Sequence, residues 1–211
     1  MNCRFCHAKL SLPFVDLGFA PPSNSFLDQG DMDEVEKYFA LKVMVCDKCW
    51  LVQTKDNASA NDLFKPDYAY FSSTSASWVE HALIYTKKVI KEFSINQNSF
   101  VVEVASNDGY LLKNFVESRI PCLGIEPTIN TSEVAKKIGI PVINEFFGKN
   151  LAQRMVSEGL FADLVICNNV YAHVPDIVDF TRGLKLILKA EGTITIEFPH
   201  LLKLFLALVF S

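Results

Sequence analysis

The chain is 211 residues long, 50% apolar and 21% charged, with a formal net charge of −4. That length allows one large or two small domains with a sizeable core. The mild negative charge removes the electrostatic reason to expect nucleic acid or an anionic membrane as a partner. Met1-Asn2-Cys3 runs straight into a cysteine pair with no charged-then-apolar leader, which points to a cytoplasmic chain.

Residues 1–62 carry two matched pairs, Cys3-x-x-Cys6 and Cys46-x-x-Cys49. Each short knuckle lets two thiolates converge on one ion. Two knuckles complete a tetrahedral structural zinc site, closed to a catalytic water. Disulfides call for an oxidising compartment, and a redox pair opens a helix after a strand, which neither pair does. His7 adjoins Cys6, but four cysteines already satisfy the metal. Cys122 and Cys167 lie in apolar runs and read as packed free thiols. An alternating strand over 41–45 and a turn over 21–25, without long helical periodicity, suit a small metal-stapled domain.

Residues 63–99 read as a helical linker. The Ser/Thr cluster at 72–77 offers N-caps, and Trp78, Ala82, Tyr85, Val89 and Phe93 then recur at helical spacing. From Phe100 to the end the pattern alternates. Apolar strands fit 100–104, 121–125, 141–143, 163–167 and 193–198; helices fit 109–118, 131–138, 148–158 and 176–189. Asn130 with Glu133 forms an N-cap pair, and Gly139 followed by Pro141 supplies a stop. Short apolar strands between amphipathic helices imply an α/β domain with a parallel sheet covered on both faces. The tail 201–210 is strongly apolar but holds Lys203, and it is shorter than the ~20 residues a spanning helix needs. It reads as a buried helix cut short, or a shifted reading frame, rather than a membrane anchor.

Residues 103–109, Glu-Val-Ala-Ser-Asn-Asp-Gly, follow the apolar run at 100–102. A buried strand that ends in an acidic residue and turns through Ser106, Asn107, Asp108 and Gly109 brings backbone N–H groups close to a ligand. With its single glycine it is not the dinucleotide fingerprint, which disfavours a nicotinamide oxidoreductase. Glu126 ends the second strand of this region, where an acidic side chain can accept hydrogen bonds from ribose hydroxyls. Asn168 and Asn169 end the fourth, beside the topological switch point where open sheets bind ligands.

The turn resembles the first motif of S-adenosylmethionine (SAM) methyltransferases. Seven further segments join it in order: Cys3-Arg4-Phe5-Cys6, Asp16-Leu17-Gly18, 46–53, 68–73, Gly124-Ile125-Glu126-Pro127, 168–176 and Glu197-Phe198-Pro199-His200. Together they resemble the zinc-containing sugar C-methyltransferases of deoxysugar biosynthesis. The resemblance implies a Rossmann-like SAM methyltransferase sheet preceded by a small zinc-binding domain, with SAM and structural zinc as cofactors. The substrate implied is a 4-keto deoxy nucleotide sugar, methylated through an enolate on the carbon beside the ketone. Glu103, Ser106, Asn107, Asp108 and Gly109 would cradle the amino-acid end of SAM, Glu126 its ribose, and residues 144–147 could flank the adenine. His173 would polarise the keto or enolate oxygen. Tyr70, or less readily Tyr68, would hydrogen-bond the enolate; His200 would line the pocket, and His81 stays structural.

The chain departs from that family after Leu202, where a run rich in His, Glu and Tyr carrying the base is expected. The departure implies a truncated or frameshifted member, a sheet incomplete at its C-terminal edge and doubtful activity as it stands. A non-catalytic, zinc-stapled module binding SAM or a partner is the alternative. The sugar, the nucleotide and the oligomeric state are not readable.

Overall fold

The computed structural model describes residues 1–54 and 68–207. The expected boundary at 62/63 and the last four residues of the apolar tail lie outside the described residues. The chain divides into two compact units, Met1–Tyr70 with Pro175–Val178, and Phe71–Val174 with Asp179–Ser211.

The first unit holds an antiparallel sheet of β1 (Leu12–Ala20), β2 (Phe39–Val45) and β3 (Val52–Thr54), in that order. β2 matches the alternation seen at 41–45. β1 carries no such signal, because its register shifts twice, between Pro13 and Val15 and between Asp16 and Phe19. Those irregularities break the two-residue period from which a strand is read. Among the described residues the unit's buried core is Cys3, Leu10 and Cys46, flanked by Ala8, Met44, Cys49 and Leu51.

The second unit holds a five-stranded, all-parallel sheet ordered β6-β5-β4-β7-β8. Its strands are β4 (Val101–Val104), β5 (Cys122–Ile125), β6 (Val142–Ile143), β7 (Ala162–Asn168) and β8 (Leu188–Glu197). Six helices accompany them: α1 (Ala76–Glu92), α2 (Lys113–Glu117), α3 (Ile129–Lys137), α4 (Lys149–Ser157), α5 (Ile177–Ile187) and α6 (Leu201–Ala207). Successive strand residues feed opposite cores. Val101, Leu164 and Ile166 pack with Ala82, Val89, Leu111 and Phe115. Val102, Val104, Val165 and Cys167 pack with Leu151, Met155, Phe180 and Leu184. Burial on both faces is why β4, β5 and β7 appear as unbroken apolar runs.

The widest departures from the bounds the sequence suggests are at α2 and where α5 meets β8. α2 starts at Lys113 rather than 109, because Ala105, Asn107 and Gly109 adopt left-handed backbone (φ 61°, 49° and 80°) and keep the chain in turns. α5 ends at Ile187, and β8 starts at Leu188 instead of 193, its first turn of sequence hidden by the polar residues Lys189 and Glu191. β8 closes the sheet on one side, so among the described residues its outer edge is unpaired. The order places β4 and β7 side by side at the sheet's centre, the point from which the connections wind in opposite directions. Among the described residues no helix is long and apolar enough to cross a membrane.

Candidate functional site

In the first unit the two cysteine knuckles fold alike. The N–H of His7 donates to the carbonyl of Cys3, and that of Trp50 to the carbonyl of Cys46, both at 3.0 Å. The N–H of Cys3 donates to Ala8 and that of Cys46 to Leu51. His7 and Trp50 each close their knuckle in left-handed backbone, at φ 60° and 62°. His7 thus serves the turn, outside the sulfur cluster.

All four thiol sulfurs lie within 4.8 Å of one another, with Cys3–Cys49 at 3.6 Å and Cys6–Cys46 at 3.5 Å. A tetrahedral zinc with Zn–S bonds of about 2.3 Å needs sulfurs about 3.8 Å apart, so the donor set fits the ion. None of the six cysteines is in a disulfide. Gln53, buried, donates from Nε2 to Cys3 Sγ at 3.3 Å and accepts the Arg4 N–H at 3.0 Å; the Lys48 N–H points to Cys46 Sγ. Such donors stabilise thiolates and fix their orientation. The spacing of the cysteines is visible in the sequence, but the brace from Gln53, four residues beyond Cys49, has no signature of its own.

In the second unit the turn after β4 is shaped by its neighbours. The N–H groups of Ala105 and Ser106 both donate to Ile125 O, and Gly109 N–H returns to Ser106 O. Glu126 accepts the Asn107 N–H on Oε2 at 2.9 Å; its Oε1 accepts the Thr128 N–H at 2.9 Å and the Thr128 hydroxyl at 2.5 Å. Three of roughly four lone-pair directions of this buried carboxylate are therefore occupied. Glu126 holds the strained turn closed, and its main partner is Thr128, which carries no signature in the sequence. A Cβ at Gly124 would strike Ser106 Oγ, so glycine there lets the turn lie against β5. A Cβ at Gly109 would strike Ile140 Cδ1 and lie 3.1 Å from Ala135 Cβ. The close approach that Gly109 permits is to α3 and to Ile140 in the connection after it.

Glu103 has a different environment. It is fully buried, and neither carboxylate oxygen has a hydrogen-bond partner among the described residues. Ser106 Oγ, Asp108 Oδ1 and Asn168 Oδ1 are likewise buried without partners there. Burial, then the nearby Glu126 and Asp108 carboxylates, push the Glu103 pKa well above the usual range. Tyr110, stacked on Trp78 at 6.1 Å, also lies within the field of Glu103, and its pKa is raised by burial and by that carboxylate. Cys122 and Cys167 are pushed up to about 11 and about 12 by burial and then Glu103, as befits packed neutral thiols. The unit thus gathers Glu103, Ser106, Asn107, Asp108, Glu126 and Asn168 at the carboxyl ends of β4, β5 and β7.

Other residues expected at the site stand differently. Asn169 has left-handed backbone (φ 52°), is exposed, and donates its N–H to Glu197 O. His173 ends a 3-10 turn (Tyr171–His173) after β7. Its surface is exposed, yet the surrounding chain desolvates the ring enough to lower its pKa. Tyr70 belongs to the first unit and is exposed. Asn144 donates to Glu126 O and to Ser132 Oγ, and Phe147 packs edge-on against Phe180, so this stretch serves the fold. His81 bonds Glu197 Oε2 at 2.8 Å and stacks on Trp78, tying α1 to β8. His200 is exposed.

Residues 3–64 match a family described as "Putative zinc binding domain". Over 203 residues the chain is 28% identical to C-methyltransferase NovU of Streptomyces niveus, covering 96% of this chain and 48% of that protein. It therefore spans about half the length of this curated relative. Among solved structures, the PH0226 protein of Pyrococcus horikoshii OT3 superposes with a TM-score of 0.54 at 15% identity, over 66% of each chain. A SAM dependent methyltransferase from Archaeoglobus fulgidus reaches a TM-score of 0.45 at 13% identity, over 57% of this chain and 54% of that one. The four-cysteine centre thus lies in the stretch that is similar to a zinc-binding domain family, and the chain as a whole is similar to about half of a C-methyltransferase.

Proposed function

We propose that the second unit binds SAM at the 103–109 turn and serves a C-methyltransferase acting on a 4-keto deoxy nucleotide sugar. The observation that carries the reading is the set of buried atoms without partners: both Glu103 oxygens, Asp108 Oδ1, Asn168 Oδ1 and Ser106 Oγ. All can accept, and an unpaired buried acceptor costs about 1–3 kcal/mol, more when charged. A ligand bearing an ammonium group supplies three donors and a compensating charge, as the amino-acid end of SAM does. A dinucleotide would instead bring a pyrophosphate against two buried carboxylates.

Under this reading Glu103, Ser106, Asp108 and Asn168 take the amino-acid end. The remaining lone pair of Glu126 is left for a ribose hydroxyl, and Asn169 lines the rim. SAM, when bound, supplies an electrophilic methyl group. The chain's own task is to hold the acceptor carbon in line and to stabilise the enolate that forms once a base removes the proton beside the ketone. His173, kept neutral by desolvation, and Tyr70 are proposed to hydrogen-bond that oxygen. We assign residues 1–62 to the zinc domain, 63–99 to a linker and 100–211 to the cofactor domain, in a cytoplasmic protein whose thiols stay reduced.

Calorimetry with SAM and with NAD tests the binding half of this reading. SAM binding with no response to NAD is expected; NAD binding without SAM binding would overturn it. SAM binding without methyl transfer to any 4-keto nucleotide sugar would favour a zinc-stapled binding module instead.

A further inference from the structure

The two polar residues at the centre of the turn, Asn107 and Asp108, direct side-chain atoms away from the unpartnered cluster. Asn107 Oδ1 accepts the Ser72 N–H at 2.9 Å, and Asp108 Oδ2 accepts the Ser73 N–H at 3.0 Å. Two consecutive turn residues thus grip two consecutive backbone donors 35 positions earlier in the chain. Those donors are the first N–H groups of the 3-10 turn Ser72–Thr74, which its own backbone cannot satisfy. The Asn107–Ser72 bond is buried and the Asp108–Ser73 bond partly so, with Asp108, Ser72 and Asn107 at 1%, 5% and 8% exposure. The gripped segment leads straight into α1, where Ser75 caps the helix by accepting the Trp78 N–H and Trp78 stacks on Tyr110, next after the turn.

We propose that Asn107 and Asp108 are positioning residues that latch the 71–75 segment onto the cofactor turn, coupling its docking to ligand binding through the Asp108 carboxylate. The proposal rests on the SAM reading for the ligand but not for the latch. Asp108 faces both ways: Oδ2 holds Ser73, while Oδ1 is buried without a partner among the described residues. A cationic ligand meeting Oδ1 fixes the orientation of the carboxylate, which keeps Oδ2 aimed at the Ser73 N–H. Linkage makes the effect reciprocal, so a docked segment raises ligand affinity by the factor by which ligand secures the segment.

Two variants remove the Asn107–Ser72 half of the latch without touching the unpartnered atoms, leaving Asp108 with the Ser73 N–H alone. Asn107→Gly deletes the side-chain acceptor and suits the left-handed φ of 49°. Ser72→Pro deletes the N–H donor, together with the serine hydroxyl, and leaves Asn107 in place. Position 72 is the first of a helical turn, and Phe71 before it is extended (φ −113°, ψ 117°), as proline requires. Hydrogen exchange of the 71–75 amides is followed in the full chain with and without SAM, alongside SAM affinity by calorimetry. In the unaltered chain SAM is expected to slow exchange there about fivefold or more, within the usual range of coupling between sites. Each variant is expected to speed exchange without ligand and weaken SAM binding by a similar factor. If SAM binds but the 71–75 amides exchange alike with and without it, and either variant keeps full affinity, the latch is wrong. If SAM does not bind at all, the cofactor reading fails, while faster exchange in the ligand-free variants would still support the latch.

Discussion

The four-sulfur centre and the turn after β4 show opposite ways of preparing a site. In the first unit the ligand side chains are themselves core: among the described residues, Cys3 and Cys46 pack in the buried cluster with Leu10. Their sulfurs converge in a geometry that only an ion explains, and the surrounding sheet is too slight to stand alone. In the second unit the chain builds a two-faced apolar core of its own, which buries atoms of two carboxylates, a serine and an asparagine without partners among the described residues. The first region is expected to need its ion in order to fold. The second is expected to fold alone, at a cost that the proposed cofactor would relieve.

The largest expected effect follows from that contrast. Zinc binding to structural sites contributes about 10–16 kcal/mol of apparent free energy. Cys46→Ser, or chelation, should therefore abolish ordered exchange protection in residues 1–54. The protected strands of the second unit should persist, as native-state hydrogen exchange can show. Loss of both units together would end the contrast.

A smaller effect is expected at the turn. Glu103→Gln removes the charged acceptor, and a hydrogen bond to a charged group contributes about 1.5–3 kcal/mol. SAM affinity should fall on the order of 10- to 150-fold by calorimetry, with the fold intact. Unchanged affinity would mean that the unpartnered carboxylate is not the ligand's anchor.

The smallest effect is in the pH dependence of stability. Because the Glu103 pKa is raised on folding, the folded chain holds a proton that the unfolded chain gives up. Its contribution to stability is thus present below the ordinary carboxylate pKa and is lost as pH rises through the raised value. Denaturant titrations should show stability falling across that window in the native chain, and a flatter profile in Glu103→Gln.

The same contrast governs what could be read from sequence. Cysteine pairs announce themselves by spacing, and β4, β5 and β7 by apolar runs that burial on both faces demands. β1 stayed hidden because its bulges scramble the alternation. Glu103 and Glu126 look alike in the sequence, each an acidic residue at a strand end. Only the folded chain separates them, giving Glu126 three donors and Glu103 none among the described residues. Asn107 and Asp108 were legible as turn residues, but their partners Ser72 and Ser73 contribute backbone N–H groups, and every residue except proline has one.

The central claim is that the buried acceptors around Glu103 recognise the ammonium-bearing end of the cofactor. Comparing SAM with 5′-methylthioadenosine, which keeps the adenosine and sulfur but lacks the amino-acid end, tests it most directly. Calorimetry on the zinc-loaded full chain should find SAM bound at least about 100-fold more tightly, the equivalent of about 2.7 kcal/mol. Equal affinity for the two would contradict the account.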